Sequence, residues 1–187
     1  NYIAMENVKD LNLGLFDPQH DAETSLPDSP GNYIVVLRTS STLPDIGVEP
    51  VMKKIEIDGR QFDVIYTGIS SKSQRKRDYG QHFTGNNAGR STLRKSLGSM
   101  MGLKKIPRDR NNPNNGKTKF ADADEEKLSK WMRENLLLLY CKVDGSKVET
   151  LEEQLIAELN PPLNLQKNYN SGNMAFRAKL SELRNKK

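Results

Sequence analysis

The chain has 187 residues, 35% hydrophobic and 28% charged, with a net charge of +5 and one cysteine. At ~100–200 residues per domain this is one domain, with room for an appendage. Cys141 alone excludes an internal disulfide and a cysteine-built zinc site, His20 and His82 are too few for a three-histidine centre, and no apolar run approaches the ~18 residues of a membrane span, so a soluble, cytoplasmic protein is expected.

Residues 1–28 read as a polar N-terminal arm with one helical turn, its short apolar patch at Leu11, Leu13, Leu15 and Phe16. Pro27 and Pro30 punctuate, and Gly31 opens a strand, Asn32–Arg38. A Thr/Ser/Pro-rich connection follows from Thr39 to Pro50. Lys53–Ile57 alternates, Asp58-Gly59 is a hairpin signal, and Gln61–Tyr66 alternates again. Ser73 caps a predicted helix to Phe83, and the composition of Gly85-Asn86-Asn87-Ala88-Gly89 is that of a loop. Ser91 is the expected N-cap of a helix carrying Leu93, Leu97, Met100 and Met101. Residues 107–118 form a basic loop, and Asp122 or Asp124 starts a helix to Glu134. Leu136–Val143 is an apolar run of strand length, expected at the centre of a sheet. Residues 147–159 are an amphipathic helix stopped by Asn160-Pro161-Pro162, and a basic amphipathic helix ends the chain. This order predicts an α+β fold: a small central antiparallel sheet of three to four strands flanked by helices.

Charge is unevenly spread. From Lys72 to Lys119 there are thirteen basic residues and two acids, a net of +11, leaving −6 for the remainder. A basic block on an acidic chain fits a polyanion, nucleic acid first; the plainer reading is a solvated surface.

Four local features bear on chemistry: Gly31-Asn32-Tyr33 at a strand start, Tyr66-Thr67-Gly68 at a strand end, Arg75-Lys76-Arg77 with His82 beyond, and Leu151-Glu152-Glu153-Gln154-Leu155-Ile156 leading to Asn160-Pro161-Pro162-Leu163-Asn164. Singly each has an ordinary explanation: a packing tyrosine, a turn glycine, a solvated arginine, an exposed helix acid. Glu152 borders the apolar stripe of Leu151, Leu155 and Leu159, where an unpaired carboxylate is costly, whereas Glu149, Glu153 and Glu158 point outward.

In this order the features resemble the GIY-YIG nuclease superfamily, over roughly residues 29–168. The first motif resembles Gly31-Asn32-Tyr33 and the second Tyr66-Thr67-Gly68. The helix arginine is matched by Arg77, the metal-binding glutamate by Glu152 and the closing asparagine by Asn164. The domain implied spans 29–170, with insertions at 39–60 and 104–119, and 171–187 is a C-terminal basic helix. Asn32 and Thr67 depart from the usual apolar middle residues and are expected to face away from the site. An extra residue separates Arg77 from His82, which keeps Arg75 in competition for the arginine role. Glu152 and Glu153 compete likewise, the Leu-Ile spacing favouring Glu152.

The resemblance implies a metal-dependent endonuclease acting on nucleic acid, DNA the first candidate. Glu152 would hold one Mg²⁺ or Mn²⁺, hard ions content with one carboxylate, waters and substrate oxygens. Tyr33 or Tyr66 would help deprotonate the attacking water, Arg77 would stabilise the phosphate, His82 would orient the water or touch the phosphate, and Asn164 would support the glutamate or the residues around it. Arg75, Lys76, Arg90, Ser91, Arg94, Lys95, Lys104 and Lys105 are the expected backbone contacts, Ser91 and Arg94 through a helix start. The alternative is a nucleic-acid-binding protein of nuclease-like fold without turnover; a protein-partner module is a third reading. No G-x-S-x-G occurs, and Cys141 reads as a small buried thiol.

Overall fold

The computed structural model describes residues 8–84 and 88–186; the segments 1–7 of the expected arm and 85–87 of the expected loop lie outside the described residues. Its centre is an antiparallel sheet of β1 (Gly14–Phe16), β2 (Gly31–Leu37), β3 (Lys54–Ile57), β4 (Arg60–Ser70) and β7 (Leu136–Lys142), in the order β1-β7-β2-β4-β3. A separate hairpin pairs β5 (Lys105–Pro107) with β6 (Thr118–Phe120). The helices are α1 (Thr92–Met100), α2 (Asp122–Asn135), α3 (Val148–Leu159) and α4 (Met174–Asn185), with a π-helix at Arg75–Phe83.

The mixed, antiparallel architecture matches the expected class, but the sheet has five strands rather than three to four. The added strand is β1. Three residues show no readable alternation, yet the edge of β7 offers unpaired backbone groups that Gly14–Phe16 satisfies, with Phe16 wholly buried. β4 is also longer than the expected Gln61–Tyr66. Its first half pairs with β3 and its second half with β2, so the strand runs on through Gly68 to Ser70. Asp58 and Gly59 turn the β3–β4 hairpin with φ of 50° and 73°, the left-handed values that such a two-residue turn needs. The ends of the basic 107–118 loop are drawn together by β5 and β6.

The central strands are buried on both faces. Tyr33, Val35, Leu37, Leu136 and Leu138 pack toward α1, α2 and α4; Ile34, Val36, Leu137, Leu139 and Cys141 pack toward α3. Full burial of a Leu or Phe side chain contributes about 1.5–3 kcal/mol, so the continuous apolar run of β7 anchors both layers. Ser91 caps α1 as expected, its Oγ accepting the Arg94 N–H at 3.1 Å. Asn160 ends α3 with φ of 43°. Among the described residues no helix is long and apolar enough to cross a membrane.

Candidate active site

Tyr33 and Tyr66 come from adjacent strands and lie on the same face of the sheet. Their rings are 6.2 Å apart. Tyr33 stands opposite Gly68, and a Cβ there would meet the phenol carbon Cζ at 2.6 Å. The glycine of the second motif therefore seats the tyrosine of the first. Gly31 is similarly constrained: a Cβ would run into the Cys141 carbonyl and the Gln74 amide. Asn32 and Thr67 do point the other way, as strand alternation requires. Asn32 Nδ2 donates to Val148 O at 2.9 Å, and Thr67 Oγ1 donates to Tyr33 O at 2.9 Å.

Behind the tyrosines lies His82, fully buried, with Nε2 2.6 Å from the Tyr33 hydroxyl and Nδ1 2.7 Å from Ser91 Oγ. Ser91 Oγ already accepts the Arg94 N–H. Ser91, His82 and Tyr33 thus form one buried hydrogen-bonded chain, whose directions follow the His82 tautomer. At its outer end Tyr33 lies beside Tyr66 and favours the Tyr66 phenolate. Burial, with the nearby Arg77 and Arg94 charges, pushes His82 down to about 3, so the ring is neutral at physiological pH. Burial raises both phenols, Tyr33 well above its ordinary value.

The π-helix explains how Arg77 and His82 share a side despite the extra residue between them. Its i→i+5 winding, seen where the Thr84 N–H donates to Tyr79 O at 3.1 Å, keeps residues five apart on one face. Arg77 is half-buried, donates to Gln81 Oε1 at 2.6 Å, and its charge acts on Tyr33, Tyr66 and His82. Arg75 turns away: its guanidinium donates to Leu26 O at 3.2 Å and Thr24 O at 3.3 Å.

Glu152 stands on α3. Its side chain is 15% exposed against 63% for Glu153, and its charge acts on both tyrosines. Burial raises its pKa, partly countered by Lys167, whose Nζ is 3.7 Å from Oε2. Asn164 closes the outer edge of β4, accepting the Thr67 N–H and donating to the Thr67 carbonyl, both at 2.9 Å. One side chain thereby imitates a paired strand and fixes the backbone next to Tyr66. Its partner is the strand, rather than Glu152.

Arg94 is not at the surface where a phosphate contact would need it. It is wholly buried and bonded to Glu125 Oε2 (2.7 Å), His82 O (2.7 Å) and Ser129 Oγ (2.8 Å). Ser91 is buried too, its hydroxyl engaged by His82 and by the α1 cap. The correction has a clear cause: an Arg one turn into a helix looks solvent-facing until the acid 31 positions away in α2 is known. Lys76, Arg90 and Lys104 are exposed; Arg75, Lys95 and Lys105 are half-buried.

Sequence reasoning passed over three residues at or near this pocket. Lys167, paired with Glu152, has a left-handed backbone with φ of 58°. Asp78, one of two acids in the basic block, is buried with Oδ1 taking a hydrogen bond from Ser70 at 2.6 Å, and burial pushes it up to about 8. Arg184 of α4 lies within electrostatic reach of Tyr66 and was legible only as a residue eight after Phe176 and four after Leu180, on the apolar stripe.

Glu152 is a suitable ligand for a hard divalent cation: a desolvated carboxylate with only a loose lysine contact gains most from a bound charge. Among the described residues no three His, Cys, Asp or Glu side chains cluster, so other ligands would be water or substrate oxygens. No curated protein and no solved structure matches the chain. A family model, described as the GIY-YIG catalytic domain, matches residues 31–186. With both tyrosine motifs, the helix arginine and the glutamate inside that span, the chain belongs to the GIY-YIG catalytic domain family, a family of nucleases.

Proposed function

We propose that the protein is a divalent-metal-dependent endonuclease hydrolysing phosphodiester bonds in DNA. The observation that carries this reading is the pairing of Tyr33 and Tyr66 on one sheet face, with His82 bonded to Tyr33 and the charges of Arg77 and Glu152 acting on both phenols, from four separate elements. Glu152 would hold Mg²⁺ or Mn²⁺, which when bound neutralises phosphate charge and acidifies water.

The residues divide the remaining work by exposure. Tyr66, 8% exposed against 1% for Tyr33, is the phenol that meets the water. It takes the water's proton most readily as phenolate. The Tyr33 hydrogen bond and the Arg77 charge stabilise that anion, while burial and Glu152 oppose it. Tyr33 and neutral His82 hold the hydrogen-bonded chain in line; they position Tyr66. Arg77 offers a planar fork of donors to the phosphate as charge builds in the transition state. Asn164 maintains the β4 backbone, and exposed Lys76, Arg90 and Lys104 serve as contacts to more distant phosphates.

The test is incubation of plasmid, branched and single-stranded DNA and of RNA with Mg²⁺ or Mn²⁺, beside Glu152→Ala. Cleavage that needs the metal and falls at least ~10²-fold in the variant, with unchanged thermal stability, is expected. Full activity in Glu152→Ala would overturn the assignment. Metal-independent binding without any cutting would favour the non-catalytic alternative.

A further inference from the structure

Arg184 is the last large residue on the buried stripe of α4. Phe176 and Leu180 of that stripe lie in the same core as Tyr66, and Arg184 follows Leu180 by one turn. The helix packs against α1, which contributes Lys95. Its final turn is held in place by Lys105, whose Nζ donates to Leu183 O at 2.7 Å and Lys186 O at 2.9 Å, carbonyls that the helix itself leaves free. Among the described residues neither Arg184 nor Lys95 has a carboxylate partner or a side-chain hydrogen bond. Both are half-buried.

The result is a knot of like charge. Lys95 and Lys105 both lie within electrostatic reach of Arg184, Lys105 also of Lys95 and Lys186, and no carboxylate acts on Lys95, Lys105 or Arg184. Positive charge drawn partly out of water beside other positive charge opposes folding. A site of that kind is stabilised by an anion from outside. Arg184 also acts on the phenol of Tyr66, the more exposed of the two tyrosines.

We propose that Arg184, with Lys95 beside it, forms a subsite for a DNA backbone phosphate flanking the one that is cut. The guanidinium supplies the planar fork suited to phosphate, and the ammonium adds charge. The helix held by Lys105 makes the fork rigid. The proposal rests on the nuclease reading only for which phosphate is bound.

Fluorescence anisotropy of a labelled DNA duplex with the full chain, in chelator so that nothing is cut, tests it. Arg184→Met is expected to raise Kd about tenfold at low salt. It is also expected to reduce the slope of log Kd against log salt by ~0.9, the loss of one phosphate contact. Arg184→Lys should retain the slope. Should Arg184→Met fail to fold, Lys95→Met takes its place, with the same fall in slope. An unchanged slope and affinity in the methionine variants overturns the subsite, as does an equal loss of slope in Arg184→Lys. Failure of the unaltered chain to cut DNA in Mg²⁺ counts against the nuclease reading alone, and the salt slopes still decide the subsite.

Discussion

Glu152 and Glu153 are neighbours in the chain and lie in different surroundings. The 3.6-residue period of α3 leaves Glu152 mostly covered and Glu153 in water, the difference in burial that the stripe of Leu151, Leu155 and Leu159 leads one to expect. Arg75 and Arg77 are a harder pair. Both lie on the π-helix two positions apart, and a regular helix pattern cannot say which faces the sheet. Their surroundings separate them: Arg75 ties down the carbonyls of Thr24 and Leu26, and the charge of Arg77 acts on both phenols. Arg77→Ala is expected to lower kcat ~10²-fold or more, as loss of a transition-state charge partner does. Arg75→Ala should lower Tm and change kcat far less. Single-turnover cleavage and thermal melts of the two variants check this. A larger kcat loss in Arg75→Ala would mean that the arginine role belongs one half-turn earlier.

At the scale of elements, the π-helix and the α1–α2 contact were beyond the reach of local pattern. π winding is a response to packing: the wider turn keeps Arg77, His82 and Phe83 on the sheet-facing side while Asp78 reaches Ser70. Ser91 was legible as a cap, but its second partner, His82, is unrelated to capping. Arg94 joins α1 to the first turn of α2 through Glu125, and it also donates to the His82 carbonyl, so it braces the site from behind. Removing one partner leaves a buried charge unpaired, at a typical cost of 3–5 kcal/mol. Arg94→Met should therefore destabilise the fold by about that much in urea melts, and Arg94→Met with Glu125→Leu should recover a large part. If Arg94→Met melts like the unaltered protein and merely binds DNA more weakly, Arg94 is a surface contact after all.

For the whole molecule, two buried ionisable groups set the response of stability to pH. Asp78 ionises at 3.8 when unfolded and at about 8 when folded, so the folded chain holds an extra proton between those values and stability falls as pH rises through them. His82 moves from 6.5 to about 3, so the folded chain holds fewer protons there and stability rises with pH across that window. The two oppose each other up to about pH 6.5. Above it, of these two, Asp78 alone still titrates. Tm is therefore expected to fall between about pH 6.5 and 8, and Asp78→Asn should abolish the fall and raise Tm at pH 8. Scanning calorimetry across that range checks it; a fall that persists in Asp78→Asn would assign the titration elsewhere.

The amino-acid sequence by itself determined the strand–helix order, the paired tyrosine–glycine motifs, the apolar centre strand and the basic middle of the chain. These are features of adjacent residues, whose propensity, alternation and charge can be read within one short window. Only the tertiary structure decided that Gly14–Phe16 would complete the sheet, that Ser91 would stand behind His82, that Arg94 would be buried and that Arg184 would come within electrostatic reach of Tyr66. Each depends on a partner far away in the chain, and long-range packing and desolvation, unlike helical period or turn chemistry, leave little imprint on the residues nearby.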